Sequence, residues 1–136
     1  MCCRIICNVC RDGTIVSSQP FLRCRMRRPV VAILFNCAEP EAITKAFESL
    51  QGSSVDDNKG SNNILLGAYA NRLAPVASDW TLADSETPQP MREDLSPKQY
   101  YEEFASVWKS RFGVQLIGGC CGMTPEHIQY LHEKFA

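Results

Sequence analysis

Three of the chain's eight cysteines stand where a metal site could form. Cys37 directly follows one predicted strand, and Cys120 with Cys121 directly follows another. The carboxyl ends of parallel strands are where α/β proteins build their sites. Three thiolates favour zinc and leave a fourth coordination position for a substrate. The pattern therefore predicts an open zinc site, while three cysteines packed as small apolar side chains are the alternative.

The glycine-rich segment 118–122 would allow the two neighbouring cysteines to reach one ion. Adjacent side chains of a regular strand point to opposite faces, so the backbone must leave extended geometry here. Glycine adopts positive φ at little cost, and Gly118, Gly119 and Gly122 offer that freedom.

Apolar patterning predicts four strands and three helices that would position these cysteines. The predicted strands cover residues 4–10, 30–35, 64–70 and 114–117. The predicted helices begin at Pro40, at Pro97 after a capping box from Ser96 to Gln99, and at Pro125 after Thr124. Strands that alternate with helices indicate an α/β fold with a parallel sheet.

Helical spacing selects the side chains that we expect to face the core. The second helix presents Tyr101, Phe104, Trp108 and Phe112, and the last helix presents Ile128, Leu131 and Phe135. Residues 51–63 are nearly all polar or glycine and predict a solvated loop. The segment from Asn71 to Leu95 is a second long connection, and loops of that length usually have a functional role.

The charge balance excludes some classes of partner. The 14 basic and 15 acidic residues give a net charge of −1, which argues against nucleic acid or an anionic membrane as the main partner. The longest apolar run, Val30 to Phe35, is too short to cross a bilayer. The first residues lack the apolar stretch of a secretory signal. We therefore expect a cytoplasmic protein, in which thiols more often serve metals or redox chemistry than disulfides.

Several segments together resemble the homocysteine S-methyltransferase family. Ile-Gly-Gly-Cys-Cys-Gly-Met-Thr-Pro-Glu-His-Ile at 117–128 is similar to the family's signature, and Phe35-Asn36-Cys37 with Glu39-Pro40-Glu41 is similar to its Asn-Cys element. Segments 67–71 and 91–97 resemble the single-domain branch that does not use cobalamin. Cys10-Arg11-Asp12-Gly13 is a weaker match to the motif after the fifth barrel strand. The resemblance covers residues 4–136 and is strongest from Val30 onward.

The resemblance implies a zinc-dependent methyltransferase. Cys37, Cys120 and Cys121 would bind Zn²⁺, and homocysteine would bind as a thiolate at the fourth position. That thiolate would take a methyl group from a donor such as S-methylmethionine or S-adenosylmethionine, giving methionine, with no catalytic residue needed beyond the metal ligands. Homocysteine and a methyl donor are therefore the expected partners. Tyr69 or Trp80 could face a cationic sulphonium donor.

The same resemblance implies an incomplete barrel. The family fold is a (β/α)8 TIM barrel, which typically needs about 250 residues. This chain would supply approximately strands five to eight, as a single truncated homocysteine-binding domain over residues 1–136. The helix after the fifth strand would be shortened between Thr14 and Pro29, and the open barrel edges would favour self-association. The alternative is a catalytically incompetent fragment that keeps the zinc cysteines but not the substrate site.

The remaining cysteines offer a weaker metal hypothesis. Cys3, Cys7 and Cys10 have the spacing of an iron–sulphur site. The intervening isoleucines and valine favour an extended strand, whereas cluster ligands need a loop that curls around the metal. Cys2 and Cys24 have no evident partner.

Other polar candidates have simpler explanations. His127 and His132 lie on the last helix, as many surface histidines do, and we assign neither a ligand role. The basic run 23–28 has no interleaved aromatic residues, so a solvated surface is the expected location.

Overall fold

The structure is a computed structural model that describes residues 3–9, 15–16, 30–52, 64–75 and 89–136. Its strands are β1 (Cys3–Val9), β2 (Ile15–Val16), β3 (Val30–Asn36), β4 (Leu65–Ala70) and β5 (Leu116–Gly119). Its helices are α1 (Pro40–Gly52), α2 (Pro97–Gln99), α3 (Ser106–Phe112) and α4 (Pro125–Phe135), and a π-helical segment, Tyr100–Ala105, joins α2 to α3. The predicted α/β class is confirmed.

The strands form one sheet in the order β2-β1-β3-β4-β5. β1, β3, β4 and β5 are parallel, as predicted, whereas β2 pairs antiparallel with the end of β1. With two residues, β2 is too short to show a periodic pattern in the sequence. In the central strands, Phe35 pairs with Ala68 and Tyr69 pairs with Gly118. Parallel pairing places the ends of β3, β4 and β5 at the same edge of the sheet.

The core lies between one face of the sheet and the helices. Phe35 and Ala68 on that face are fully buried, as is Phe47 of α1. The Phe35 and Phe47 rings meet edge to face, with centroids 4.9 Å apart. Trp108 donates its Nε1–H to Thr44 Oγ1 at 2.8 Å. These contacts hold α1, the helix that follows Cys37, against the sheet and α3.

The second helical stretch buries Trp108 and Phe112 as predicted, but its first half turns different residues toward the core. Its buried side chains are those of Tyr100, Ala105, Trp108 and Phe112. The predicted Tyr101 and Phe104 are only partly buried. The π-helical segment explains the difference, because its wider turn aligns residues five apart and so places Tyr100 and Ala105 on one face.

The last strand is shifted from its predicted position. It covers Leu116–Gly119 rather than 114–117, because the two glycines continue the strand instead of ending it. A Cβ atom at Gly118 would lie 2.7 Å from a carbon of the Tyr69 ring. Glycine therefore lets the ring pack against β5.

The last helix presents a different residue to the core from the one expected. Leu131 is buried as predicted, but Ile128 is 46% exposed, so its predicted burial is wrong. His127 takes the inner position instead and is 1% exposed. The capping boxes before Pro97 and Pro125 are both present. Among the described residues, no helix is long and apolar enough to span a lipid bilayer.

Candidate metal centre

The three predicted cysteines lie together at the sheet edge where β3 and β5 end. Cys37 Sγ is 3.5 Å from Cys121 Sγ, and Cys120 Sγ is 3.9 Å from Cys121 Sγ. All three sulphur atoms lie within 4.8 Å of one another, and all three residues are free cysteines. Within the part of the chain that the structure describes, they form the one group of His, Cys, Asp or Glu side chains that could hold a metal ion. We call this group the three-cysteine cup.

The end of β4 positions the cysteines on either side of it. β4 lies between β3 and β5, which are therefore two strand spacings, or about 9.5 Å, apart. Three backbone N–H to O=C hydrogen bonds, each 2.8 Å long, join the cup to residues 69–72: Cys37 to Tyr69, Cys120 to Ala70, and Arg72 to Cys121. The thiols can meet because both cysteine segments bend toward β4.

Cys37 bends through a conformation that is rare for a residue with a side chain. Its φ is +52°, in the left-handed region. Asn71 holds this bend, since its Nδ2–H donates to Cys37 O at 3.1 Å and its backbone N–H donates to Ala38 O at 2.9 Å. Asn71 lies in a segment that resembles the family, but its distance of 34 positions from Cys37 gives no indication in the sequence that the two residues are in contact.

A tight turn after β5 turns Cys120 and Cys121 toward one side. The Met123 N–H donates to Cys120 O at 3.1 Å, and Gly122 has a φ of +77°. Of the three glycines that were expected to supply positive φ, Gly122 alone does so, because Gly118 and Gly119 belong to the strand. Gly119 permits a close approach instead, since a Cβ there would lie 2.5 Å from Met123 Cβ.

Two thiols of the cup, those of Cys37 and Cys120, differ in acidity. Burial alone would raise the pKa of the Cys37 thiol, but hydrogen bonds from Cys120, Cys121 and Asn71 hold that pKa below its ordinary value. Burial, together with the neighbouring Cys37, raises the pKa of Cys120 to about 11. Cys37 and Cys120 therefore do not ionise at the same pH by themselves, whereas a bound cation would favour the thiolate form of its cysteine ligands.

The donor set fits zinc. Tetrahedral coordination with Zn–S bonds of about 2.3 Å separates the ligand sulphurs by about 3.8 Å. The observed separations of 3.5 Å and 3.9 Å bracket that value. Soft sulphur donors also disfavour magnesium and calcium, which prefer oxygen. Three protein ligands leave one coordination position for a substrate.

Arg92 is a residue beside the site that the sequence did not single out. Its guanidinium forms two hydrogen bonds with the Glu41 carboxylate, at 2.9 and 2.8 Å, and an ion pair with Asp94 at 2.7 Å. Glu41 lies in the first turn of α1. Arg92 therefore fixes the segment before α2 to the helix that follows Cys37. Both residues stand in segments that resemble the family, yet no spacing rule pairs residues 51 positions apart.

The two histidines of α4 lie outside the three-cysteine cup. His127 is nevertheless not the surface residue that its position suggested. Its Nδ1 accepts from the Thr124 N–H at 3.2 Å, and its Nε2–H donates to Leu95 O at 2.9 Å. Both ring nitrogens are thus engaged inside the protein. His132 is exposed.

Several other predicted candidates are placed only partly. Cys3 and Cys7 lie in strand β1. Their backbone is therefore extended, which is the conformation that the sequence analysis considered unsuitable for the ligands of an iron–sulphur cluster. Tyr69 lies at the end of β4 with its ring against Gly118. The remaining candidates lie outside the described residues: Cys2, Cys10, Cys24, Trp80, the basic run 23–28 and most of the predicted loop 51–63.

Comparison with models of known protein families identifies a family. The family model described as homocysteine S-methyltransferase matches residues 3–135. That range contains β3 and β5 together with all three cysteines of the cup. No solved structure matches the chain. Because the family match spans nearly the whole sequence, the chain belongs to the homocysteine S-methyltransferase family.

Proposed function

We propose that this protein is a zinc-dependent homocysteine S-methyltransferase that methylates the thiol of homocysteine to give methionine. S-methylmethionine or S-adenosylmethionine is the proposed class of methyl donor, and the cytoplasm is the proposed location. The observation that carries the proposal is the meeting of three sulphur atoms from two strand ends within 4.8 Å. The family match supports the reaction type.

Cys37, Cys120 and Cys121 would hold the metal ion. Zinc bound there would supply a Lewis acid that keeps the thiol of homocysteine ionised at neutral pH. The chain itself contributes three sulphur donors, which would leave one coordination position of the metal open. Backbone hydrogen bonds to residues 69–72 hold these three cysteines in place. Cys120 and Cys37 are partly buried and Cys121 is exposed, so a substrate thiol can approach the cup from the side of Cys121.

We also propose that the sheet is part of a barrel of the family type. β1, β3, β4 and β5 run parallel, and each of β3, β4 and β5 is followed by a helix, which is the repeating unit of a (β/α)8 barrel. Residues 1–136 would form one homocysteine-binding domain of this kind. Association through the open edges of the sheet stays a prediction.

A second candidate function is that of an incompetent relative, which binds zinc but does not hold homocysteine. The observation that favours it is the number of parallel strands. The described sheet has four, whereas a closed barrel has eight. Fewer strands mean fewer loops around the mouth of the site from which substrate contacts could come.

Zinc content and turnover, measured on the same protein, separate the two candidates. The full chain is assayed for zinc per chain and for methionine formed from homocysteine with each sulphonium donor. Cys37→Ser is the test variant, and Cys24→Ser is the control, because it makes the same change at a cysteine that the sequence analysis assigns to no site. The methyltransferase proposal expects about one zinc ion and turnover in the wild type and in Cys24→Ser, and loss of both in Cys37→Ser. Zinc without turnover supports the second candidate, and absence of both overturns the two proposals.

A further inference from the structure

The left-handed backbone of Cys37 is held in place by a single neighbouring side chain. Cys37 N–H is bonded to Tyr69 O at 2.8 Å, which fixes the peptide group before the residue. The peptide group after it is fixed by Asn71, whose Nδ2–H donates to Cys37 O at 3.1 Å. With both peptide groups tied to the end of β4, the rare φ of +52° is determined.

The hydrogen bonds of Asn71 fix the orientation of its side-chain amide. The residue is 9% exposed, its Oδ1 accepts from the Leu73 N–H at 3.2 Å, and its backbone N–H donates to Ala38 O at 2.9 Å. Because Oδ1 faces Leu73, the donor group Nδ2 must face Cys37. The amide therefore joins a turn after β4 to the bend after β3.

The consequence of this bend is that the Cys37 thiol reaches across β4. β3 and β5 are about 9.5 Å apart as alternate strands, yet Cys37 Sγ comes to 3.5 Å from Cys121 Sγ. In an ordinary extended conformation, the side chain of the residue after Asn36 would continue the alternation of the strand instead. The direction of the thiol thus depends on the conformation that Asn71 supports.

We propose that Asn71 is a positioning residue of the three-cysteine cup, which sets metal affinity by holding Cys37 in its left-handed conformation. The inference rests on the proposed function insofar as the cup binds zinc. Asn71 contacts Cys37 through the backbone carbonyl and would act on the metal through Cys37. A residue in such a supporting position typically changes metal affinity by 10- to 100-fold when it is replaced.

Two substitutions separate the bond to Cys37 from the bond to Leu73. Asn71→Ala removes both. Asn71→Asp keeps an oxygen that can accept from the Leu73 N–H but cannot donate to Cys37 O when ionised. If the amide served the local turn alone, the Asp variant would behave like the wild type. We expect both variants to bind zinc about 10- to 100-fold more weakly than the wild type.

Thr44→Val is the matched control. Thr44 lies in α1, the helix that directly follows the Cys37 bend, and its hydroxyl accepts from Trp108 Nε1–H of α3 and donates to Pro40 O. The substitution removes both hydrogen bonds without touching residues 69–73. It should lower the thermal midpoint in the presence of a chelator as much as the Asn71 variants do, while its zinc affinity stays at the wild-type value. This comparison separates positioning of Cys37 from general destabilisation.

The measurement is a competition titration of the full chain with Zn²⁺ against a chromophoric chelator, repeated with Co²⁺ to follow the sulphur-to-cobalt absorption. Cys37→Ser gives the baseline that the other cysteines contribute. Wild-type zinc affinity in Asn71→Asp, or an equal loss in Thr44→Val, would overturn the role of Asn71. A wild type that binds zinc without forming methionine would overturn the methyltransferase proposal and leave the role of Asn71 decided by its own variants. A wild type that binds no metal overturns both.

Discussion

One residue of the three-cysteine cup and one residue next to it have a backbone conformation that favours glycine. One is Cys37, with φ +52°, and the other is Gly122, with φ +77°. A side chain in this region costs about 1–2 kcal/mol. Cys37 bears that cost because its sulphur is needed in the cup, whereas position 122 needs no side chain. Strain at a site is tolerated where neighbouring bonds fix it.

Gly122→Ala should therefore damage the cup as well as stability. Its φ is unfavourable for alanine, and a Cβ would lie 2.5 Å from Met91 Sδ and 3.2 Å from Arg72 Cβ. Gly113→Ala is the control, because Gly113 has a φ of +67° but no atom within 4 Å of such a Cβ. We expect each variant to lose about 1 kcal/mol of unfolding free energy in urea. Weaker zinc binding is expected for Gly122→Ala alone, and equal zinc binding in both variants would contradict the crowding at position 122.

At the scale of elements, the π-helical segment connects the helical layer to the strand that precedes the cysteine pair. It turns Tyr100 inward, and the Tyr100 O–H donates to Gly118 O at 2.7 Å. Burial raises the pKa of this phenol well above its ordinary value, so the hydroxyl stays a donor at any working pH. The bond fixes β5 two residues before Cys120.

Tyr100→Phe tests whether the π-helical segment turns residue 100, and not residue 101, toward strand β5. The variant leaves the buried Gly118 carbonyl without its donor and should lose about 1 kcal/mol of unfolding free energy, measured by urea denaturation. Tyr101→Phe is the same change one residue along, where the ring is only partly buried, and should have little effect. A larger loss for Tyr101→Phe would mean that the regular helical face predicted from the sequence is the correct one.

At the scale of the whole molecule, ion pairs between distant segments complete the surroundings of the cup. Arg92 joins the loop before α2 to α1 through Glu41, and it pairs with Asp94 in its own loop. Burial alone would raise the pKa of Glu41, but the Arg92 hydrogen bonds hold it below its ordinary value, and they also lower the pKa of Asp94. Glu41 and Asp94 are therefore ionised and paired at neutral pH.

Arg92→Met should lower stability in a manner that depends on pH. A carboxyl group whose pKa is lower in the folded state than in the unfolded state stabilises the protein at every pH above its ordinary pKa, which is 4.5 for Glu41. This stabilisation is lost as the pH falls through the pKa of the folded state. The unfolding free energy of the variant should thus be about 1 kcal/mol below wild type at neutral pH, with the difference shrinking below pH 4.5. Lys98→Met removes an exposed pair at 3.9 Å and should change stability little. A difference that stays constant in acid would contradict the pairing.

Residue types and local patterning were enough to predict the candidate site residues and the α/β class of the fold. Continuous apolar runs predicted β3 and β4 to within one residue, and Ser96 and Pro125 marked helix starts, because burial and capping depend on near neighbours. The types and positions of Cys37, Cys120 and Cys121 indicated one cluster, since parallel strands end at the same edge of a sheet.

The way in which that cluster is held follows from contacts between elements and could not be predicted from the sequence. The left-handed φ of Cys37 and the role of Asn71 depend on bonds between strands that lie far apart in the chain. The inward turn of His127 depends on the carbonyl of Leu95, and the π-helical register depends on Tyr100 reaching Gly118. Periodicity carries no information about such contacts, because each is set by the packing of elements and not by the residues next to it in sequence.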